Sequence, residues 1–491
     1  MQKTRAQAQP SLLQWLRIRF AGYDVGIVLI IGLFLLLLPL STPRVALSDE
    51  VQYYAYLRSF YVDHDLDFRN EYTHFAEIGR TNGDLAVFNA LLRTDAQNPN
   101  PRTGLLRNVA PVGAAILWAP GFVLADLGVR LARLMGNPLA ADGYSWPYIR
   151  AVCFMSAFYT LLGLLLTYRL TRRYTGVFAA TTATLAIWLA TPLVFYTYIA
   201  MPWSHGTGMF LFALFLTIWL GGDQRTLATR YAQRSPATWL LLGLVGGLMS
   251  ITREQLALLL ILPAIESVVA YVLLVRQRRW AEVGRLVVGH GLFLVTLVIA
   301  ISPQLATYQV LNGQPTPSST VSGKLNFRSP NFFNTLIDLE HGAFLWSPIL
   351  PLGLLGLVRL GRRDGFFALL LLLAVVVQTY INGAFGTTWH LSGSFGFRRL
   401  IECTPVFVVG LALGLEWLRP RIGSLPLIVI VALFIGWNIG LIAQWTFVRP
   451  ELRKRLVWDQ MLQYQLIEVP RLIVGKLATL IFNRCALVKN C

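Results

Sequence analysis

The chain has 491 residues, of which 55% are hydrophobic and only 13% are charged, and its mean hydropathy is +0.56. Soluble domains carry about 25% charged residues, so this composition excludes an ordinary soluble protein. The net charge is +18, but the arginines lie in short clusters between apolar runs rather than on one soluble face. We therefore expect a polytopic membrane protein without a nucleic-acid partner.

Long apolar runs follow one another along the whole chain, each close to the length that crosses a bilayer as a helix. They predict an all-α membrane protein with about 11 transmembrane helices, in a range of roughly 10–13. Two weaker runs, 112–135 and 468–482, are shorter or interrupted, and we predict interfacial helices there. The strong runs occupy residues 24–41, 147–168, 177–196, 206–221, 237–251, 255–275, 286–308, 344–358, 366–382, 403–418 and 425–445.

The charge of the connections predicts the orientation. Every second connection is short and rich in arginine, which places these connections and the N-terminus in the cytoplasm. The opposite connections hold most of the Asn, Gly, Pro and acidic residues and five of the six histidines, so we expect one extracytoplasmic active face. The basic connections are residues 168–176, 223–235, 276–285, 359–365 and 419–423.

This topology divides the chain into a membrane domain and a tail. Residues 1–445 form the predicted transmembrane domain, and 41–146 are its large first extracytoplasmic loop with juxtamembrane helices. Residues 446–491 form a predicted extracytoplasmic amphipathic tail, whose basic face suits anionic membrane lipids. The expected location is the cell's inner (plasma) membrane.

Asp49 and Glu50 follow the first apolar run in "LSDEVQYYAYLRSFYVDHDLDF" (47–68). Aromatic and leucine residues at helical spacing predict an amphipathic helix on the membrane surface, with both carboxylates at its N-terminus, where the helix dipole favours them. Two interpretations remain open from these residues alone. "SDE" is a common helix cap, and the carboxylates could also carry chemistry. The acidic "DHDLDF" (63–68) is interpreted as a solvated turn.

The order of motifs around this segment resembles that of GT-C superfamily membrane glycosyltransferases, in the branch of the protein O-mannosyltransferases and aminoarabinose transferases. The likeness covers residues 20–220 in pattern and the remainder in topology. It implies a sugar transferase with a polyprenyl-phosphate donor and with Asp49 and Glu50 as catalytic residues. The matching motifs are "DEVQYYAYLR" (49–58), "RNVAPVGAAILWAPGF" (107–122), "PYIRAVCFMSAF" (147–158) and "YRLTRRYTG" (168–176).

One position departs from that family's pattern. Its second outer loop usually offers another Asp, whereas this chain reads "MPWSHGTG" with His205. A histidine can orient a substrate or bind a metal. Asp49, Glu50 and His205 are thus a possible site for a divalent cation, Mg or Mn, although no ligand spacing requires one and our main hypothesis is metal-independent.

The last outer loop, "FGTTWHLSGSFGFRRLIECTP" (385–405), resembles loops of bacterial predicted GT-C proteins. Its arginines, Arg398 and Arg399, offer forked donors suited to a phosphate, although arginines beside a span can also reach lipid headgroups. Arg253 and Lys324 are further candidates for the donor phosphate. The candidates for substrate contact are Tyr53, His205, Trp389, His390 and His341.

These parts predict an inverting transfer from a polyprenyl phosphate sugar to an extracytoplasmic glycan, lipid or protein. Asp49 would act as general base, since an acceptor hydroxyl is a poor nucleophile, and Glu50 would orient a substrate. The alternatives are a lipid or glycan transporter or flippase, which midmembrane charges and inverted repeats would mark, and a lipid-linked glycan polymerase or ligase.

Overall fold

The structure, a computed structural model, describes residues 24–81, 89, 98–221, 234–318, 323–328, 330–391, 393–448 and 458–486. Three predicted features lie wholly or mostly outside this part: the basic N-terminus, the connection 223–235 and the basic start of the tail. The described part is helical, with two isolated β-bridges, Pro43–Met201 and Leu325–Phe385.

The predicted all-α architecture is confirmed. The α-helices of six or more residues in the described part are α1 (Val25–Leu37), α2 (Ser48–Arg58), α3 (Arg69–Thr81), α4 (Gly113–Leu134), α5 (Trp146–Thr171), α6 (Val177–Leu189), α7 (Leu193–Tyr198), α8 (Ser204–Trp219), α9 (Pro236–Thr252), α10 (Ile261–Arg276), α11 (Trp280–Asn312), α12 (Phe332–Ile337), α13 (Leu350–Gly361), α14 (Gly365–Gly383), α15 (Thr404–Ile422), α16 (Ser424–Ala443), α17 (Trp458–Gln463) and α18 (Val469–Phe482).

The apolar helices match the predicted spans. Among the described residues, seven helices are long and apolar enough to cross a membrane, and five shorter apolar helices accompany them. The long set includes α4. Each of the other apolar helices overlaps one predicted span, so the segmentation of the chain into eleven apolar helices follows the sequence pattern.

Helix α4 is the one element whose length alone would make it a further span. Its contacts lie near the outer ends of neighbouring helices, on the predicted orientation. Trp118 Nε1 donates to Thr207 Oγ1 in the first turn of α8 (3.0 Å), and Tyr148 Oη, in the first turn of α5, donates to Asp126 Oδ1 (2.7 Å). Gly113 packs against the C-terminal residues of α9. These contacts favour the predicted juxtamembrane position.

Helix α2 differs from the amphipathic surface helix that the aromatic spacing suggests. Tyr53, Tyr54 and Tyr56 are all buried, because α3, α4 and the segment before α4 enclose the helix. Only Phe60, just beyond its end, is largely exposed. The predicted first extracytoplasmic loop is therefore a packed substructure, and α2 is its central element.

The acidic turn after α2 is mainly local structure, as predicted. Asp65 accepts a hydrogen bond from Ser59 Oγ (2.8 Å), and Asp63 pairs with Arg58. Arg58 also binds the buried Glu71 of α3 (2.7 Å). Burial raises the pKa of Glu71 to about 7. These bonds tie α2 to α3.

Backbone bridges bring the outer connections together. Thr42 N donates to Tyr198 O (2.6 Å), next to the Pro43–Met201 bridge, which holds the entrance to α2 against the α7–α8 connection. Asn326 N donates to Ala384 O (2.7 Å) beside the second bridge. Helix α15, which the last outer loop enters, packs tightly on α13, since a Cβ at Gly356 would lie 1.8 Å from Gly410 O.

The tail forms α17 and α18. Trp458 stacks on Trp437 of α16 with ring centroids 6.1 Å apart, and its Nε1 donates to Leu339 O (2.9 Å). Helix α18 leaves Val474 and Phe482 largely exposed. The amphipathic character of the tail and its side of the membrane stay predictions.

Candidate active site

A cavity of ≈ 500 Å³ lies where the outer connections meet. The start of α2, the α7–α8 connection, the end of α9 and the last outer loop all contribute to its wall. This brings together residues that are far apart in the sequence, as the predicted active face requires. The cavity is lined by Asp49, Tyr53, Val109, Pro111, Trp203, Arg253, Glu254, Gln255, Lys324, Phe385, Thr388, His390, Leu391, Ser394, Arg398 and Arg399.

Asp49 stands in the first turn of α2 and reaches this cavity. Its side chain is 45% exposed, and Oδ2 accepts a hydrogen bond from Arg398 Nη2 at 3.0 Å. The Arg398 guanidinium lies over the Trp203 ring, 4.0 Å from the centroid. A carboxylate and a cation thus meet in one water-accessible space, as the sequence-based hypothesis expected.

Glu50, the next residue of α2, is buried outside the cavity wall. It is 2% exposed and does not line the cavity. Its Oε2 accepts from the backbone N–H groups of Ala46 (2.8 Å) and Leu47 (2.9 Å), and its Oε1 accepts from Trp203 Nε1 (2.7 Å). Burial raises the pKa of Glu50 to about 7. Glu50 is a helix cap that also fixes Trp203.

The cavity wall is rich in cations. Arg253, Lys324, Arg398 and Arg399, the candidates for the donor phosphate, line it together with two carboxylates, Asp49 and Glu254. These four cations come from three separate connections, so the tertiary fold gathers them. Tyr53 also lines the cavity; burial raises the pKa of its hydroxyl, so Tyr53 stays a neutral hydrogen-bonding group near pH 7.

Four predicted substrate contacts divide between the cavity and the surrounding core. His390 lines the cavity, whereas Trp389, His205 and His341 do not. His341 is buried, its Nε2 donates to Ser394 O (3.1 Å), and it stacks on Trp346. Burial lowers the pKa of His341 to about 4, so this side chain is neutral. Its hydrogen bond to Ser394 O holds the last outer loop against the core.

The sequence-based interpretation missed Glu402. This residue is 1% exposed and lies at the start of an apolar run, where an ionisable side chain is costly enough to have marked it for attention. Its Oε1 forms an ion pair with Arg253 Nε (2.7 Å) and lies 2.9 Å from His205 Nδ1. Trp203 was also missed, although it links Glu50 to Arg398.

The possible metal set does not assemble. Glu50 is saturated by three N–H donors, and His205 is buried against Glu402. Within the described ranges, no group of three or more His, Cys, Asp or Glu side chains is placed to hold a metal ion. The residues present therefore do not fit the cation site considered from the sequence.

No protein-family model and no curated protein matches this chain. Solved structures do. ArnT from Cupriavidus metallidurans in the apo state matches with a TM-score of 0.52 and 16% identity over 93% of this chain and 72% of that chain. The same protein bound to undecaprenyl phosphate matches with a TM-score of 0.54 and 16% identity over 95% and 73%. The chain is therefore a multi-pass membrane protein with the fold of these ArnT structures.

Proposed function

We propose that the chain is an integral membrane glycosyltransferase that moves a sugar from a polyprenyl phosphate to an extracytoplasmic acceptor. The observation that carries the proposal is the Asp49–Arg398 pair at 3.0 Å in a cation-rich cavity. Such a cavity provides both groups that this transfer needs, a base for the acceptor and cations for the leaving phosphate. An ArnT structure of the same fold holds undecaprenyl phosphate, which supports a polyprenyl carrier.

The cations serve the donor. Transfer leaves the polyprenyl phosphate with one more negative charge, and guanidinium groups stabilise such charge through paired N–H donors. Arg253, Arg398 and Arg399 are positioned for this task, and Lys324 adds a fourth charge. Because the leaving phosphate is already a weak base, no general acid is needed, which agrees with a wall that offers few carboxylates.

Asp49 serves the acceptor. The acceptor hydroxyl oxygen attacks the anomeric carbon from the side opposite the phosphate, and its proton passes to the Asp49 carboxylate. The bond between the anomeric carbon and the phosphate oxygen breaks, and its electron pair stays on that oxygen. One such displacement inverts the anomeric configuration. Glu50 stabilises the start of α2 and thereby positions Asp49, instead of contacting a substrate.

The test is transfer from radiolabelled polyprenyl-phosphate sugars by the full-length protein in nanodiscs. We expect Asp49→Asn to abolish transfer while the protein folds and inserts normally. Asp67→Asn is the matched control, because Asp67 follows the same helix but lies outside the cavity lining. Turnover of Asp49→Asn at the wild-type rate would refute the assignment of the base.

The same assay separates the alternatives. A flippase or transporter moves the labelled lipid across the bilayer without breaking the sugar–phosphate bond, and a polymerase extends a lipid-linked chain. A single transferred sugar with released polyprenyl phosphate supports the proposed reaction. Inner-membrane location and a cytoplasmic N-terminus follow from the arginine distribution and belong to this proposal.

A further inference from the structure

We propose that Glu402 is a positioning residue that fixes the Arg253 guanidinium for contact with the departing lipid phosphate, with His205 holding Glu402 from the other side. This inference rests on the proposed function and deepens it, because it adds a buried layer that the transfer reaction requires. Its basis is a chain of contacts between the cavity wall and the core.

The first contact joins the cavity to the core. Arg253 lines the cavity, and its Nε lies 2.7 Å from Glu402 Oε1 in an ion pair. Its Nη1 donates to Ser204 Oγ at 3.1 Å, and Ser204 Oγ in turn donates to Tyr53 Oη at 2.8 Å. A long arginine side chain is thereby held at two of its nitrogen atoms, next to a tyrosine that also faces the ligand space.

The second contact holds the carboxylate. His205 is fully buried, and its Nδ1 lies 2.9 Å from Glu402 Oε1. A carboxylate at this distance favours the tautomer with the proton on Nδ1, which then donates to Glu402. The His205 ring also stacks on Trp203, with centroids 5.7 Å apart. Glu402 Oε1 is therefore contacted from two sides, by the His205 ring and by the Arg253 guanidinium.

An arginine that is fixed in advance suits a site that stabilises a developing negative charge. An arginine that must find its place during the reaction loses side-chain entropy, whereas one fixed beforehand acts without reorganisation. Glu402 is 1% exposed, so its pair with Arg253 is shielded from water. Its charge also offsets one of the clustered cations, which limits their mutual repulsion before the donor arrives.

The chain offers a matched control in Glu266. This glutamate is also 1% exposed; it accepts from Trp219 Nε1 and lies 3.8 Å from Arg234. It belongs to α10, lies beside Trp219 at the last residue of α8, and does not line the cavity. Glu266→Gln therefore measures how much stability is lost when a buried glutamate pair outside the cavity is disturbed.

The test is a double-mutant cycle with Glu402→Gln, Arg253→Gln and the double variant, in the nanodisc transfer assay. We expect Glu402→Gln to lower kcat roughly 100-fold, the scale of a misplaced catalytic contact, with donor KM within about twofold of wild type. The Arg253→Gln background should abolish the further effect of Glu402→Gln, because the glutamate acts through that arginine. Glu266→Gln should lower the melting temperature but leave kcat unchanged.

Two results would overturn the inference. One is a kcat for Glu402→Gln within about twofold of wild type, and the other is a pair of losses that multiply in the double variant. Binding of undecaprenyl phosphate gives an independent cycle that needs no turnover. This product carries one more negative charge than the sugar-linked donor, so its affinity depends on a fixed Arg253 even where donor KM does not. If no donor is turned over, the proposed function fails. The role of Glu402 would still be supported if Glu402→Gln, Arg253→Gln and the double variant all lose the same amount of this binding. Unchanged or additive binding would reject it.

Discussion

The Asp49 carboxylate and the Arg398 guanidinium, 349 positions apart in the sequence, lie 3.0 Å from each other in the cavity wall. The same arginine stacks on Trp203, which in turn donates to Glu50. Two neighbouring residues of α2 thus bind the two members of one stacked pair: Asp49 binds Arg398, and Glu50 binds Trp203. Asp49 faces the cavity, and Glu50 secures the pair from the core.

This ion pair predicts that Asp49 and the donor phosphate compete for Arg398. Asp49→Asn should therefore bind undecaprenyl phosphate about 2- to 5-fold more tightly than wild type, the value of a partly exposed ion pair, although it transfers no sugar. Thermophoresis of the labelled protein in nanodiscs measures this affinity, with Asp67→Asn as the control. Weaker binding in Asp49→Asn would instead show that Asp49 holds Arg398 in place for the lipid.

Glu50 predicts a pH-dependent contribution to stability. Burial raises its pKa from 4.5 to about 7, so its stabilising contribution is complete below pH 4.5 and is lost as the pH rises through 7. The stability advantage of wild type over Glu50→Gln should shrink by up to about 3 kcal/mol between these values. Unfolding measured at pH 5 and pH 8 in the same detergent tests this. An advantage that grows with pH would contradict the raised pKa.

Two substitutions of Trp203 should separate its effect on stability from its effect on donor binding. Trp203→Phe keeps a ring beneath Arg398 but leaves the buried Glu50 without one N–H donor, which should cost about 1–3 kcal/mol of stability. Trp203→Leu removes the ring as well, so donor KM should also rise several-fold, since the cation–π contact is worth about 1–2 kcal/mol. Melting temperatures and donor KM for both variants provide the readouts. Equal donor KM in the two variants would rule out a role for the stacking.

We predict that removal of metal ions leaves the transfer rate almost unchanged. Because Glu50 and His205 are engaged elsewhere, we expect EDTA to leave the transfer rate within about twofold, as the cation role falls to arginine side chains. Dialysed protein assayed with and without added Mg²⁺ or Mn²⁺ tests this. A rate restored only by the added cation would show that oxygen ligands from the substrate complete a metal site.

The apolar helices, and the placing of acidic and aromatic residues in the connections between them, could be predicted because both depend on local composition. A run of apolar residues forms a membrane helix whatever its neighbours are, and α5 and α14 coincide with their predicted runs. Asp49, Arg398 and Arg399 could be selected as charged residues beside such runs. A helix start at "SDE" was also predicted, although Leu47 rather than Ser or Asp precedes the helix and the Glu50 side chain makes the capping hydrogen bonds.

The division of labour between Asp49 and Glu50 could not be predicted. Adjacent residues in a helix point about 100° apart, so which one meets the cavity depends on what packs around α2. Burial of the three α2 tyrosines likewise depends on α3 and α4, which cover the face that the sequence pattern assigned to the membrane surface.

The sequence by itself determined a membrane protein of apolar helices with its polar chemistry on one face, because hydropathy and the charge of each connection act locally along the chain. Only the tertiary structure decided which of these residues share one cavity, that Trp203 bonds Glu50 outside it, and that Glu402 pairs with Arg253. These facts depend on contacts between segments more than 100 residues apart. Their geometry is set by helix packing, such as the close approach of Gly356 to Gly410, and by bridges between connections.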